Sequence, residues 1–112
     1  MITVVNIKDM RGRHVEYVGR ANKSWNLEGS VLNNKFRIGE DGDRATVIKK
    51  YKLWLWKQIK RRNSSVLNEL TRLKKIAVEG NLVLACWCAP KPCHADVVRD
   101  CIQWAIEQGG AK

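Results

Sequence analysis

The sequence predicts a small single-domain α/β fold spanning residues 1–112, a sheet with flanking helices stacked as a two-layer or three-layer sandwich. Three observations predict it. Two short β-rich segments open the chain. A continuous apolar run of strand length, residues 81–86, comes late. Segments of helical periodicity lie on both sides of that run. A buried strand between helices calls for layered packing, while the strand order is not legible from these signals.

Residues 3–7 are rich in β-branched side chains and read as the first strand. Residues 8–13 form a basic turn, and residues 14–19 alternate polar and apolar side chains toward Gly19, so they read as a second strand. Residues 20–43 show no period and hold Gly29, Gly39 and Gly42; a loop this long is functional or contains short elements. Asp43 is a plausible N-cap for the first helix, whose buried stripe is Val47, Ile48, Tyr51, Trp54, Leu55 and Ile59. Arg61, Arg62 and Asn63 end it, and Ser64 or Ser65 is expected to cap the next helix. That helix buries Val66, Leu67, Leu70, Leu73, Ile76 and Ala77 and stops at Gly80. Residues 81–86 read as a central, covered strand. Pro92 suits the entrance of the last helix, which buries Val97, Val98, Cys101, Ile102, Ala105 and Ile106 and ends at Gly109 and Gly110.

Hydrophobic residues make up 45% of the chain and charged residues 29%, an ordinary globular balance that argues against disorder. A chain of 112 residues buries enough surface to fold without a metal or a disulfide. No apolar run approaches the roughly 20 residues that span a bilayer, and residues 1–6 are too short for the apolar core of a secretory signal. No membrane association is expected, and the location expected is cytoplasmic. The net charge of +10 favours anionic partners: a nucleotide-like small molecule, nucleic acid or an acidic protein face. Oligomeric state is not legible.

The chemistry concentrates in residues 86–94, Cys-Trp-Cys-Ala-Pro-Lys-Pro-Cys-His. A loop that leaves the carboxyl end of a buried strand and opens a helix is the usual ligand position of open α/β sheets. The first N–H groups of the helix lack partners there and attract anions. Cys93 has the helix start, His94 and Lys91 beside it, features that lower a thiol pKa; it is a candidate nucleophile or an unreactive half-buried thiol. His94 is a candidate acid, base or anion donor, or a packed histidine. Asp96 in the first turn favours the helix. Cys86, Cys88, Cys93 and His94 are competent zinc ligands, but they crowd into nine residues and adjacent helical ligands diverge by roughly 100°. No metal or cofactor is therefore assigned. Alternation puts Trp87 opposite Cys86 and Cys88, where it fills the core or stacks on a base. Glu40, Asp41, Gly42 and Asp43 lack the alternating ligands and final glutamate of a calcium loop.

Residues 82–97 resemble the signature of the DUF4326 family, small uncharacterised proteins found largely in phages and bacteria. Val4-Val5-Asn6, Tyr17-Val18-Gly19-Arg20, residues 29–39, Asp43-Arg44, Tyr51 and Trp54-Leu55 agree with it, so the resemblance covers almost the whole chain. The family usually reads leucine-glycine-asparagine-proline-phenylalanine where this chain has Leu32-Asn33-Asn34-Lys35-Phe36, and the missing glycine and proline should loosen that loop. The resemblance implies that Tyr17, Gly19, Arg20, Asn34, Phe36, Arg37, Asp43 and Arg44 gather around Cys86, Trp87, Cys88, Pro90, Cys93 and His94. Forked arginine donors in such a place suit a phosphorylated or carboxylated ligand. The alternative is that Arg20 and Arg44 pair with Glu40, Asp41 or Asp43 and tie the long loop down.

Three functions follow as expectations. The first is binding, with cleavage as an extension, of a nucleotide- or nucleoside-like phosphorylated molecule; Cys93, His94 and Asp43 are the candidate catalytic groups. The second is nucleic-acid binding by Lys57, Lys60, Arg61 and Arg62, interleaved with Trp54 and Trp56, of which Trp56 falls off the apolar stripe. The third is inhibition of a host protein, through the same basic helix, or of a host defence signal.

Overall fold

A computed structural model describes residues 1–9 and 14–109. Most of the basic turn read over residues 8–13 lies outside the described residues, as does Gly110. Among the described residues the order is β1 (Ile2–Asn6), β2 (Glu16–Tyr17), α1 (Arg44–Lys60), α2 (Ser64–Glu79), β3 (Leu82–Cys86) and α3 (His94–Gly109). The strands form one parallel sheet in the order β1-β3-β2, in which Ile2 faces Leu82, Asn6 faces Cys86, and Tyr17 faces Ala85. The apolar run is thus the central strand, as its composition required. All three carboxyl ends lie at one edge of the sheet.

One face of the sheet, bearing Leu82, Leu84 and Cys86, shares a single hydrophobic cluster with Tyr51 and Leu55 of α1, Val66, Leu73 and Ala77 of α2, and Val98 and Ile102 of α3. Ile2 and Val4 of β1 pack against the same cluster. The three helices also touch one another, so they form one layer and the sandwich is of the two-layer kind. On the other face Ala85 is buried, Val83 half-buried and Thr3 exposed. No helix of the described residues is long and apolar enough to cross a membrane.

Side-chain hydrogen bonds set where the strands stop, and both stops differ from the sequence reading. The first strand ends at Asn6, not at Ile7, because Asn6 Oδ1 accepts from Lys8 N at 3.0 Å and turns the chain into a 3-10 segment over Ile7–Asp9. The second strand covers two residues of the six expected. Val18 N still donates to Ala85 O at 3.1 Å, but the Val18 carbonyl accepts from the His94 ring at 2.7 Å and leaves the ladder.

The caps are locally determined. Asp43 accepts from Thr46 N at 2.9 Å and starts α1 as expected. The cap of α2 is Asn63, in place of either serine: its Oδ1 accepts from Val66 N at 3.3 Å, and left-handed Arg62 makes the turn that aims it. Pro92 lies outside α3. Cys93 precedes the first helical residue, and its N–H donates to Asp96 Oδ2 at 2.9 Å, the reciprocal arrangement of a capping box. The long segment 20–43 holds a 3-10 turn over Lys23–Trp25 and a bridge between Asn22 and Leu27. It is anchored by Leu32, which is fully buried and whose carbonyl accepts from Tyr51 Oη at 2.6 Å.

Candidate functional site

The carboxyl edge of the sheet opens into a cavity of about 390 Å³. The Cys-rich loop forms one wall and is held by residues at the ends of the other strands. Asn6 Nδ2 donates to the Trp87 carbonyl at 3.0 Å and to the Ala89 carbonyl at 3.1 Å. Tyr17 Oη accepts from Trp87 Nε1 at 2.7 Å and donates to the Arg20 carbonyl at 2.6 Å, so one phenol positions both the indole and the start of the long loop. Arg44 Nη1 donates to the Pro92 carbonyl at 3.0 Å and links the start of α1 to the entrance of α3. The Ala89–Pro90 peptide is cis.

Of the residues expected to gather here, Gly19, Arg20, Asn34, Phe36, Arg37 and Arg44 line the cavity, together with Cys86, Trp87, Cys88, Cys93 and His94. Tyr17 and Pro90 are not in the lining; Tyr17 acts from behind, through Trp87. Asp43 is not in the lining either, and its carboxylate is engaged as the α1 cap. That engagement holds its pKa below the ordinary value, chiefly through the Thr46 side chain. Sequence reasoning missed Ile38, Glu40, Val47, Ile48 and Pro92 as lining. Val47 and Ile48 were absorbed into the buried stripe of α1. Their signal was proximity: they lie one turn beyond Arg44.

The loop of Asn33 and Asn34 is held despite the absent glycine and proline. Asn33 Nδ2 donates to the Ser30 carbonyl at 2.7 Å, and Asn34 Oδ1 accepts from Phe36 N at 2.9 Å. The asparagines replace ring rigidity with turns closed by side chains.

Electrostatically, the lining carries three arginines against the single carboxylate of Glu40. The alternative pairing of Arg20 and Arg44 with Glu40, Asp41 or Asp43 is absent among the ion pairs of the described residues. The loop is tied otherwise: Asp41 Oδ2 accepts from Arg37 N at 2.8 Å, and Lys50 Nζ donates to the Asp41 carbonyl at 2.8 Å. At the start of α3 Asp96 accepts from Cys93 N and pairs with Arg99 at 3.3 Å, so a carboxylate already stands at that terminus and the arginines are the main cationic feature of the cavity.

Two readings of the cysteine loop are corrected. Trp87 does not face away from its neighbours. β3 ends at Cys86, the alternation of a strand no longer applies beyond it, and Cys86, Trp87 and Cys88 all border the cavity. Trp87 is half-buried, edge-on to Trp25 at 5.3 Å, with Lys8 Nζ 5.9 Å from its ring. The lowered thiol is Cys86, not Cys93. The Cys93 thiol donates to Cys86 Sγ at 3.1 Å, which holds Cys86 below its ordinary pKa, helped by the N–H groups of Ala89 and Cys88 and opposed by burial. The same bond, with burial, pushes Cys93 up. Among the described residues no three His, Cys, Asp or Glu side chains converge as a metal site.

His94 is buried, and its Nε2 must carry the proton it donates to the Val18 carbonyl at 2.7 Å. Burial is the main cause of its lowered pKa; the charge of Arg20 acts the same way, while the bond to Val18 opposes it. The folded chain therefore favours the neutral ring, whereas the unfolded chain protonates near 6.5. The contribution to stability is complete above that value and is lost as pH falls below it toward the depressed folded pKa. Urea-unfolding midpoints are expected to drop between neutral and mildly acidic pH, and a His94→Gln variant should show a flatter profile. Glu16 titrates below this window, its pKa lowered from 4.5 by Arg72 and His14 against desolvation. Parallel profiles for the two proteins would refute the assignment to His94.

The sequence matches one family model, described as a domain of unknown function, over residues 5–104. The chain belongs to the DUF4326 family. No curated protein and no solved structure matches it. The DUF4326 match includes every lining residue of the cavity.

A second cavity, of about 490 Å³, lies between α1 and α3 and is walled by Trp56, Val97, Cys101 and Trp104. It is larger but mainly apolar. The first brings together three arginines, an amide and two aromatic rings.

Proposed function

We propose that this DUF4326 domain binds a nucleotide- or nucleoside-like phosphorylated small molecule in the cavity at the carboxyl edge of its sheet. The observation that carries the reading is the convergence of Arg20, Arg37 and Arg44 on a cavity that also presents Phe36, Asn34 and Trp87. Guanidinium forks match phosphate oxygens, an aromatic face suits a base, and an amide suits the polar edge of a base or sugar. Binding is better supported than cleavage, because Asp43 is engaged as a cap and His94 Nε2 donates to Val18. The four free thiols support a reducing, cytoplasmic setting, that of the host where a phage encodes the chain.

The test is native mass spectrometry of freshly purified protein, followed by titration with nucleoside 5′-monophosphates and inorganic phosphate. A retained or added nucleotide is expected to bind, and Arg20→Ala should weaken it roughly tenfold or more, the worth of one charge-assisted hydrogen bond. A bare chain that binds no member of the panel would sink the reading.

A second reading rests on a separate surface. Lys57, Lys60, Arg61 and Arg62 are exposed at the far end of α1, roughly 24 Å along the helix from Arg44. Trp56 beside them is 45% exposed. This cluster suits the phosphates of nucleic acid, with affinity falling steeply as salt rises. A variant carrying alanine at all four cations separates the readings: mononucleotide binding survives it, and oligonucleotide binding does not.

A further inference from the structure

Two sulfur atoms meet at the wall of the cavity. Cys86 is the last residue of β3 and Cys93 immediately precedes α3, so the sheet and the helix each bring one thiol to the same point. The Cys93 thiol donates to Cys86 Sγ at 3.1 Å. That is about one ångström longer than a disulfide bond, so closure calls for side-chain movement of that order and no new pairing of elements. The Ala89 N–H donates to Cys86 Sγ at 3.4 Å, and this second donor favours negative charge on that sulfur. Both cysteines are among the lining residues of the cavity, which admits a molecule the size of hydrogen peroxide, but they are only 1% and 4% exposed, so peroxide reaches the sulfurs from the cavity only as neighbouring lining side chains move aside. Neither Cys88 nor Cys101 hydrogen-bonds another sulfur among the described residues, and Cys101 packs against the core from α3.

We propose that Cys86 and Cys93 form a dithiol–disulfide couple that is oxidised by peroxide inside the cavity. The Cys86 thiolate attacks one oxygen of hydrogen peroxide. The O–O bond breaks, Cys86 becomes a sulfenic acid, and hydroxide departs. The Cys93 sulfur then attacks the Cys86 sulfur, the S–O bond breaks, and the leaving hydroxyl takes the Cys93 proton as water. The first hydroxide takes up the proton that Cys86 gave up on ionising. Two thiols and one peroxide thus yield one disulfide and two waters, with two electrons passing from sulfur to peroxide. A small dithiol such as dithiothreitol reverses the step by exchange. The inference stands apart from the ligand reading, since it needs only the two sulfurs and access to them.

The test treats the full-length reduced protein with one equivalent of hydrogen peroxide, then denatures and alkylates it. Chymotrypsin cuts after Trp87 and separates Cys86 from Cys88 and Cys93, while trypsin cuts after Arg99 and separates Cys101. The expected product joins the Cys86 peptide to the Cys93 peptide, lighter by two hydrogen masses. Cys88 and Cys101 should be alkylated, and dithiothreitol should abolish the link. A bridge through Cys88 or Cys101, a bridge between two chains, or Cys86 and Cys93 both alkylated once the peroxide is consumed would overturn the proposal. Cys86 and Cys93 carrying unlinked sulfinic acid would overturn it equally. A Cys88→Ser/Cys101→Ser variant should form the same bridge, and in the wild-type digest fragmentation of the linked product, which places the alkyl group on Cys88 or on Cys93 within the one peptide 88–99, decides the matter without relying on the folding of any variant.

Discussion

Replacing Tyr51 by phenylalanine is expected to cost about 1–3 kcal/mol of folding stability, and replacing it by alanine a further ~3–5 kcal/mol. The phenol is fully buried, and burial holds it un-ionised, far above its ordinary pKa. Its Oη donates to the Leu32 carbonyl at 2.6 Å, the bond that seats the long loop on α1. Phenylalanine removes the donor and leaves a buried carbonyl without it. Alanine also removes the ring, which contacts His94 edge-on at 5.1 Å and lies tilted against Trp54 at 5.5 Å. A domain of this size has roughly 5–15 kcal/mol in total, so the alanine variant should be largely unfolded at low urea. Equilibrium urea unfolding measures both. Tyr51→Phe within about 0.5 kcal/mol of the parent, the scale of an ordinary surface substitution, would mean that the Leu32 bond contributes nothing net.

Tyr51 also illustrates what was legible. Its burial could be read from the recurrence of Val47, Tyr51 and Leu55, because helical spacing is a local signal. Its partner could not, since Leu32 lies nineteen residues away across a segment without period. The same division runs through the molecule. The Asp43 cap and the apolar run of β3 were legible, as each is written within a few residues. The shortness of β2 was not, because it depends on His94 taking the Val18 carbonyl from 76 positions away. The cavity residues were legible largely through family resemblance, which carries contacts that periodicity does not. Within the cavity, local chemistry favoured Cys93 as the lowered thiol: a helix start, a histidine and a lysine all stand beside it. The contact with Cys86 reversed the order, since the thiol that donates keeps its proton and the one that accepts more easily loses it. Trp87 was misplaced for a related reason. Strand alternation was carried to Cys88, two residues past the end of β3 at Cys86, into the loop whose Trp87 and Ala89 carbonyls Asn6 holds.

Gly19→Ala is expected to disorganise the cavity wall at a cost of about 1–3 kcal/mol, the range for an added methyl in a packed site. Gly19 is buried, and a Cβ there would fall on the Tyr17 ring, 2.6 Å from Cζ and 2.9 Å from Cε1, and closer still to the hydroxyl. The ring must move, and it cannot move freely. Its hydroxyl is shared between Trp87 Nε1 at 2.7 Å and the Arg20 carbonyl at 2.6 Å, so displacement releases the indole and the start of the arginine-bearing loop together. Proton NMR reads this directly. The Trp87 indole N–H, identified by its loss in Trp87→Phe, should exchange slowly in the parent and rapidly in Gly19→Ala. Tyr17→Phe keeps the ring but removes the acceptor, so it should speed the same exchange with less loss of stability. If Gly19→Ala leaves that indole as protected as in the parent, the Tyr17 ring has another place to go, and the wall of the cavity does not depend on the close approach of Gly19 to Tyr17.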